Sequence, residues 1–294
     1  MSEHVVAFDD VTLQVTSHGP SDGALAVLLH GFPDTALTFR HLAPHLADLG
    51  YRVIVPSMRG YAPSSIASSQ DYSVAALATD ANRLHEYFGG DERAILVGHD
   101  WGSAAVYPAL ASDSQRWSRG VAMSVPPLAA MMSAFMSFDQ LQRSWYMFFF
   151  QHPLSDMVVP LDNFALISRL WQSWSPGYES DLDVSAVVGA LAGDVHLTAA
   201  LSYYRAALAG PSADTVITAR VAQTMAFASS VPPQPILYLH GENDGCISAA
   251  STDLVETMLA PGSRRVVIST AGHFLHLERP TEVHREIDLF LAEA

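Results

Sequence analysis

A single cysteine, Cys246, occurs in 294 residues. It has no partner within the chain, so no disulfide framework braces the fold, and a reducing compartment suits the protein. Cationic side chains are few as well: 15 Lys and Arg stand against 30 Asp and Glu, a net charge of −15. Nucleic-acid phosphates would be repelled by that balance, which argues against a nucleic-acid partner and describes a solvated acidic surface. Long apolar runs are missing too. The greasiest stretch, Met131 to Phe150, is interrupted by Asp139 and Arg143, and no run approaches the roughly 20 apolar residues of a spanning helix. The N-terminal "MSEHVVAFDD" has neither a basic segment nor an apolar one, so no signal peptide is read. No internal repeat or low-complexity linker interrupts the chain. These absences describe a soluble, cytoplasmic protein without a membrane span.

Hydrophobic residues make up 49% of the chain, enough for the core of one large α/β domain carrying an insertion. "VTLQVTS" alternates apolar and polar residues as a half-buried edge strand does. "ALAVLLHG", "YRVIVPS", "RAILVG" and "GVAMSV" are short continuous apolar runs, suited to strands buried on both faces of a parallel sheet. Helical spacing fills Ala36 to Leu49 and Ser73 to Phe88, the latter with Ser73 as N-cap. After Pro126-Pro127 the alternation stops. Met, Phe, Trp and Tyr crowd the chain to about Ser230 with helical periodicity, as in "NFALISRLWQSW" and "DVHLTAALSYYRAALAG". Strand signals resume at "QPILYLHGEND" and "RRVVISTAGH", and "TEVHREIDLFLAEA" closes the chain as an amphipathic helix.

The simplest assembly is a core of residues 1–126 and 232–294, a mostly parallel sheet flanked by helices, split by a helical lid at 127–231. The proline-rich joints "VPP" and "VPPQP" mark the crossings, because proline blocks helix and strand continuation. Ligands of such sheets sit at the carboxyl ends of the strands. An insertion at that edge would cover the site.

"LVGHDWGSAA", Leu96 to Ala105, reads as a strand turning sharply into a small-residue helix. That is the nucleophile-elbow layout of α/β-hydrolases, but its central position holds Asp100 where serine is usual. A carboxylate, with a reference pKa of about 3.9, is already ionised at neutral pH and needs no base to activate it. It attacks a saturated carbon bearing a leaving group better than it attacks a peptide carbonyl. The product is an alkyl ester, which water must then cleave with help from a general base and an oxyanion hole. The order nucleophile, acid, histidine is completed by Asp244 after "PILYLHGEND" and His273 after "VVISTAGH". His273 would take the proton of water and Asp244 would hold its ring. His240 and His276 compete as the base, and Glu242 as the acid. Oxyanion donors are the backbone N–H groups of Trp101 and of Phe32 in "HGFPD", with His30 bracing that loop and a cis bond before Pro33 allowed.

Taken together, "HGFPD", "MRGYAPSS", "GHDWGSA", "HGEND" and "AGHFLHLERP" resemble the α/β-hydrolase-fold epoxide hydrolases over nearly the whole chain. The resemblance implies two lid tyrosines that polarise and protonate the ring oxygen. "YMFFFQHP" matches the segment carrying the first, giving Tyr146, and "LSYYRAAL" matches the second, giving Tyr204. Tyr203 beside it leaves a one-residue ambiguity and counts, with Trp101, Phe32 and Asp34, among the substrate-contacting residues. Asp34 either orients the hydrolytic water or caps the next helix. "GYAPSS" departs from the family, with alanine and proline where a second glycine and a small residue are common.

The implied activity is conversion of a small apolar epoxide and water to a vicinal diol, through a covalent ester on Asp100. No metal or organic cofactor is implied, and no His and Cys cluster has zinc-like spacing. A homodimer is left open. Two other readings stand beside this one. A haloalkane dehalogenase shares the aspartate nucleophile but needs N–H donors for halide, from Trp101 and one of Trp145, Trp171 or Trp174. A ligand-binding protein on a hydrolase scaffold would need none of the five reactive groups.

Overall fold

The computed structural model of the protein describes residues 1–208, 219, 222, 226 and 231–293. The rest of 209–230, expected in the lid, lies outside the described residues. Eight strands form one sheet: β1 (Ser2–Ala7), β2 (Thr12–His18), β3 (Leu25–Leu29), β4 (Arg52–Pro56), β5 (Ile95–His99), β6 (Arg119–Met123), β7 (Ile236–Gly241) and β8 (Arg264–Ile268). Their order is β1-β2-β4-β3-β5-β6-β7-β8. Only β1 with β2 and β2 with β4 pair antiparallel; the remaining neighbours are parallel.

The sheet is buried by alternation. Leu25, Val27 and Leu29 face one apolar cluster with Leu96, whereas Ala26 and Leu28 face the other with Ile95 and Val97. The second cluster is covered by α1 (Leu42–Asp48) and by the closing helix Pro280–Ala292, through Leu42, Leu46, Ile287 and Phe290. The first is covered by α2 (Val74–Tyr87), α3 (Trp101–Ser112) and the lid. Ser73 caps α2 by accepting the Ala76 N–H.

Two expectations are corrected here. "VTLQVTS" is not the edge strand, because β1 pairs outside it through Ser2↔Ser17 to Ala7↔Thr12. β1 carries only two adjacent valines, Val5 exposed and Val6 buried, too little for a periodic signal. The continuous helix over Ala36 to Leu49 is instead a short 3₁₀ helix, Ala36–Arg40, followed by α1. Pro44 accounts for the break: it lacks an N–H, and its ring would clash with the Arg40 carbonyl in an unbroken helix.

Between β6 and β7 every described regular element is helical: α4 (Leu128–Ala134), α5 (Phe138–Arg143), α6 (Trp145–Phe149), α7 (Leu154–Val158), α8 (Leu161–Trp174), α9 (Asp181–Leu191) and α10 (Asp194–Leu208). These form a helical lid between the two sheet-forming parts of the chain. Among the described residues no single helix is long and apolar enough to cross a membrane.

Candidate active site

Asp100 sits where β5 turns into α3, with φ 53° and ψ −115°. A side chain in the left-handed region is strained, and such strain persists only where the surroundings enforce it. Here the crowding is backbone against backbone. A Cβ on Gly98 would lie 2.1 Å from the Gly102 carbonyl oxygen, and one on Gly102 would lie 2.0 Å from that of Leu29. The turn can close only with glycine at both positions, and closing it lifts the Asp100 carboxylate above the strand ends.

The groups expected around Asp100 gather there. The Phe32 amide donates to Asp100 Oδ1 at 2.7 Å. Phe32–Pro33 is cis, and His30 braces the loop: its Nδ1 meets the Gly31 carbonyl at 3.0 Å and its Nε2 accepts the Met58 N–H at 3.0 Å. Trp101 supplies the first amide of α3, one of the N–H groups that a helix leaves without an internal partner. His273 Nε2 lies 3.6 Å from Asp100 Oδ2, while its Nδ1 is 2.9 Å from Asp244 Oδ2. The Nε2 atom has no hydrogen-bond partner among the described residues. The competing groups are engaged elsewhere. His240 meets the Tyr238 hydroxyl and the Ile247 carbonyl, His276 meets the Thr38 hydroxyl, and Glu242 is exposed and accepts the Thr270 N–H.

Burial alone would depress the pKa of His273. The carboxylates of Asp244 and Asp100 more than reverse this and raise it to about 10. Burial likewise pushes Asp244 up, but His273 outweighs it and holds the carboxyl below its ordinary value. The imidazole is therefore protonated while Asp100 is charged, and loses one of its two supports if that charge is neutralised.

Above Asp100 lies a cavity of about 180 Å³ whose wall includes Trp101, Tyr146, Tyr204, Cys246 and apolar residues of α4 such as Leu128 and Met131. Tyr146 and Tyr204 are fully buried, with rings 5.5 Å apart. Burial pushes both phenols well above their ordinary pKa, so both keep their protons. The Tyr204 hydroxyl and the Trp101 indole N–H have no hydrogen-bond partner among the described residues. The two tyrosine segments are tied to each other: Gln151 donates to the Tyr204 carbonyl at 3.0 Å, and Arg205 to the Phe150 carbonyl at 3.0 Å.

The lid is stitched to the reactive loops at the end of α8. The Trp174 carbonyl accepts both the Gly245 N–H, at 3.1 Å, and the His273 N–H, at 2.9 Å. Trp171 donates its indole N–H to the Pro33 carbonyl at 2.8 Å and stacks on Phe274.

Three expected contacts are not made at the cavity wall. Tyr203 points away and donates its hydroxyl to the Arg59 carbonyl at 2.7 Å. One helix position separates it from Tyr204, about 100° around the axis, so only one of the pair can face the site. The Phe32 ring and Asp34 also lie outside the wall residues. Asp34 is fully buried; its Oδ1 accepts the Thr35 N–H at 2.7 Å, and its Oδ2 has no hydrogen-bond partner among the described residues. Burial pushes its pKa up to about 8.

That shift fixes a sign. Between about 4 and 8 the unfolded chain carries the Asp34 charge while the folded chain retains the proton, so stability falls as pH rises through this window. Asp34→Asn lacks the ionisation. Its Tm relative to the parent is expected to climb from pH 4 to pH 8 and then level off. A difference independent of pH, in parallel thermal melts, would contradict the buried-acid assignment.

Sequence spacing missed two groupings. Asp34, His99 and His276 bring one potential metal-ligating atom each within 4.8 Å of one another, and Asp244, Cys246 and His273 form a second such group. The first draws on the loop after β3, the end of β5 and the short helix Leu275–Glu278, which no local spacing reveals. In the second, Cys246 lies two residues beyond Asp244 in the same turn, and that proximity could have been read.

A profile of the alpha/beta hydrolase fold family matches residues 26–280. Epoxide hydrolase A of Mycobacterium tuberculosis is 28% identical, over 99% of this chain and 97% of its own. The AB hydrolase superfamily protein YfhM of Bacillus subtilis is also 28% identical, over 94% of this chain and 93% of its own. The crystal structure of epoxide hydrolase A from Mycobacterium thermoresistibile is 25% identical and superposes with a TM-score of 0.80, covering 99% of this chain and 98% of that one.

Proposed function

The chain belongs to the alpha/beta hydrolase fold family, and on that premise we propose that it is an epoxide hydrolase, forming a vicinal diol through an ester on Asp100. One observation carries the reading. Two buried phenols, Tyr146 and Tyr204, share a cavity with Asp100, and the Tyr204 hydroxyl has no hydrogen-bond partner among the described residues. An opening epoxide releases a strongly basic alkoxide and needs such an acid; a departing halide does not. The names of similar proteins point the same way. We divide the chain into a core, 1–126 and 232–294, and a lid, 127–231, since every described element from α4 to α10 is helical. The single buried cysteine, which forms no disulfide, supports a cytoplasmic enzyme.

In the first half-reaction an Asp100 oxygen attacks a ring carbon. The electrons of the broken C–O bond pass to the ring oxygen, which takes a proton from Tyr146 or Tyr204. Alkylation removes the Asp100 charge and with it one support of protonated His273, whose proton passes to the phenolate left by ring opening, so that the neutral imidazole can act as base. In the second half-reaction water attacks the ester carbonyl and gives its proton to His273 Nε2. The amides of Phe32 and Trp101 hold the tetrahedral oxyanion. Collapse returns the proton to the departing diol oxygen. The proton left on the regenerated Asp100 carboxyl returns to His273 and restores the starting carboxylate and imidazolium, so one water is consumed per epoxide.

The wall of the cavity is mainly apolar, and Asp100 is its one charged member among the described residues. An apolar substrate fits it. The volume of about 180 Å³ lies below the roughly 300 Å³ at which drug-sized pockets begin, and favours a small one. Diol is expected from a panel of aryl and alkyl epoxides. The double substitution Tyr146→Phe/Tyr204→Phe should lower the rate by about 10²- to 10⁴-fold, the usual worth of general acid catalysis. An unaffected double variant removes the lid-acid assignment. Halide release from haloalkanes without diol from epoxides would favour the dehalogenase reading. That reading is weakened because Trp171 spends its indole N–H on Pro33 and Trp145 is half exposed.

A further inference from the structure

Asp244 uses its two oxygens in opposite directions. Oδ2 meets His273 Nδ1, while Oδ1 accepts the amides of Cys246 at 2.7 Å and Ile247 at 3.0 Å. The turn so formed is gripped from outside by α5. Gln140 donates to the Cys246 carbonyl at 2.9 Å and accepts the Ser248 N–H at 3.1 Å, and Arg143 donates to the Asp244 carbonyl at 3.0 Å. The Cys246 thiol is thereby fixed in the cavity wall, with Sγ 3.2 Å from the Tyr146 hydroxyl oxygen.

We propose that Cys246 is a positioning residue for Tyr146, aiming its hydroxyl at the ring oxygen and supporting the phenol oxygen as its proton leaves. The chemistry of sulfur suits both tasks. A thiol is a weak acceptor, so a phenol O–H resting on it is released at little cost when a better acceptor arrives. Once the hydroxyl has turned to the ring oxygen, the S–H can donate back to the phenol oxygen without any heavy atom moving. Burial, with the charges of Asp244 and Asp100 beside it, pushes the thiol well above its ordinary pKa, so the S–H is retained. Tyr204 has no comparable support, since its hydroxyl lacks a hydrogen-bond partner among the described residues. The two acids are therefore unequal. Asp244 orients the base for the second half-reaction and, through Cys246, one acid for the first.

The inference rests on the epoxide-opening reading, and a double-mutant cycle separates the two. Alkylation and ester hydrolysis are followed as separate rate constants in single turnovers with styrene oxide. Cys246→Ala, or the bulkier Cys246→Val if the first is unstable, should slow alkylation by roughly 3- to 10-fold, the worth of one hydrogen bond. Ester hydrolysis should be unchanged. Cys246→Ser should restore most of the loss. In a Tyr146→Phe background the same substitution should have no further effect on alkylation. An equal loss in that background, or an equal slowing of both steps, overturns the proposal while leaving the epoxide reading intact. A parent enzyme that forms no ester overturns both.

Discussion

Asp100→Ala is expected to lower diol formation by roughly 10⁴- to 10⁶-fold, the range seen when a reactive constellation loses its nucleophile. The size of the effect follows from the geometry. Asp100 Oδ1 is held by the Phe32 amide, its Oδ2 lies 3.6 Å from His273 Nε2, and the residue lines the same cavity as the two tyrosines. No other carboxylate among the described residues lines that wall. A companion experiment tests the covalent route directly. In a single turnover in ¹⁸O-labelled water, the label should enter the Asp100 carboxylate and be absent from the diol, because water attacks the ester carbonyl and the diol takes its new oxygen from the enzyme. Label in the first-formed diol, or full turnover by the alanine variant, would rule out the ester.

The second large effect belongs to His273. In His273→Gln the nucleophile and the lid phenols remain, so alkylation proceeds, but the water that must cleave the ester has no base. Intact protein should gain the mass of one substrate molecule and hold it, while multiple turnover falls by about 10²- to 10⁴-fold. Free enzyme with normal turnover would transfer the base role elsewhere. Asp244 and Asp100 together raise His273 to about 10, so on the proposed ester route the base stays protonated until Asp100 is alkylated.

Much of this site was legible because it is built at strand ends. Asp100, Asp244 and His273 each follow an apolar run, and a run buried on both faces is visible in one dimension. The glycines of the elbow were legible for a similar reason, since a turn that tight excludes side chains wherever it occurs. What escaped is lateral. Tyr203 and Tyr204 differ only in direction around α10, and direction is decided by packing against Arg59 and Phe32 from distant segments. The partnership of Cys246 with Tyr146 spans 100 positions. The buried Asp34 is invisible to any local rule, because its raised pKa depends on what surrounds it. β1 was missed because an edge strand with one buried valine needs no pattern beyond a neighbour to pair with.

The carbonyl of Trp174 makes the lid a poor candidate for simple exchange between related proteins. It receives one amide from the acid loop and one from the base loop, so it gauges the gap that the Asp244–His273 hydrogen bond must span. A chimera cut only at the proline joints would import a foreign peptide unit at that gauge point and reset the spacing of two groups inherited from the host. The interchangeable unit of this architecture is the lid together with the two loops that receive it.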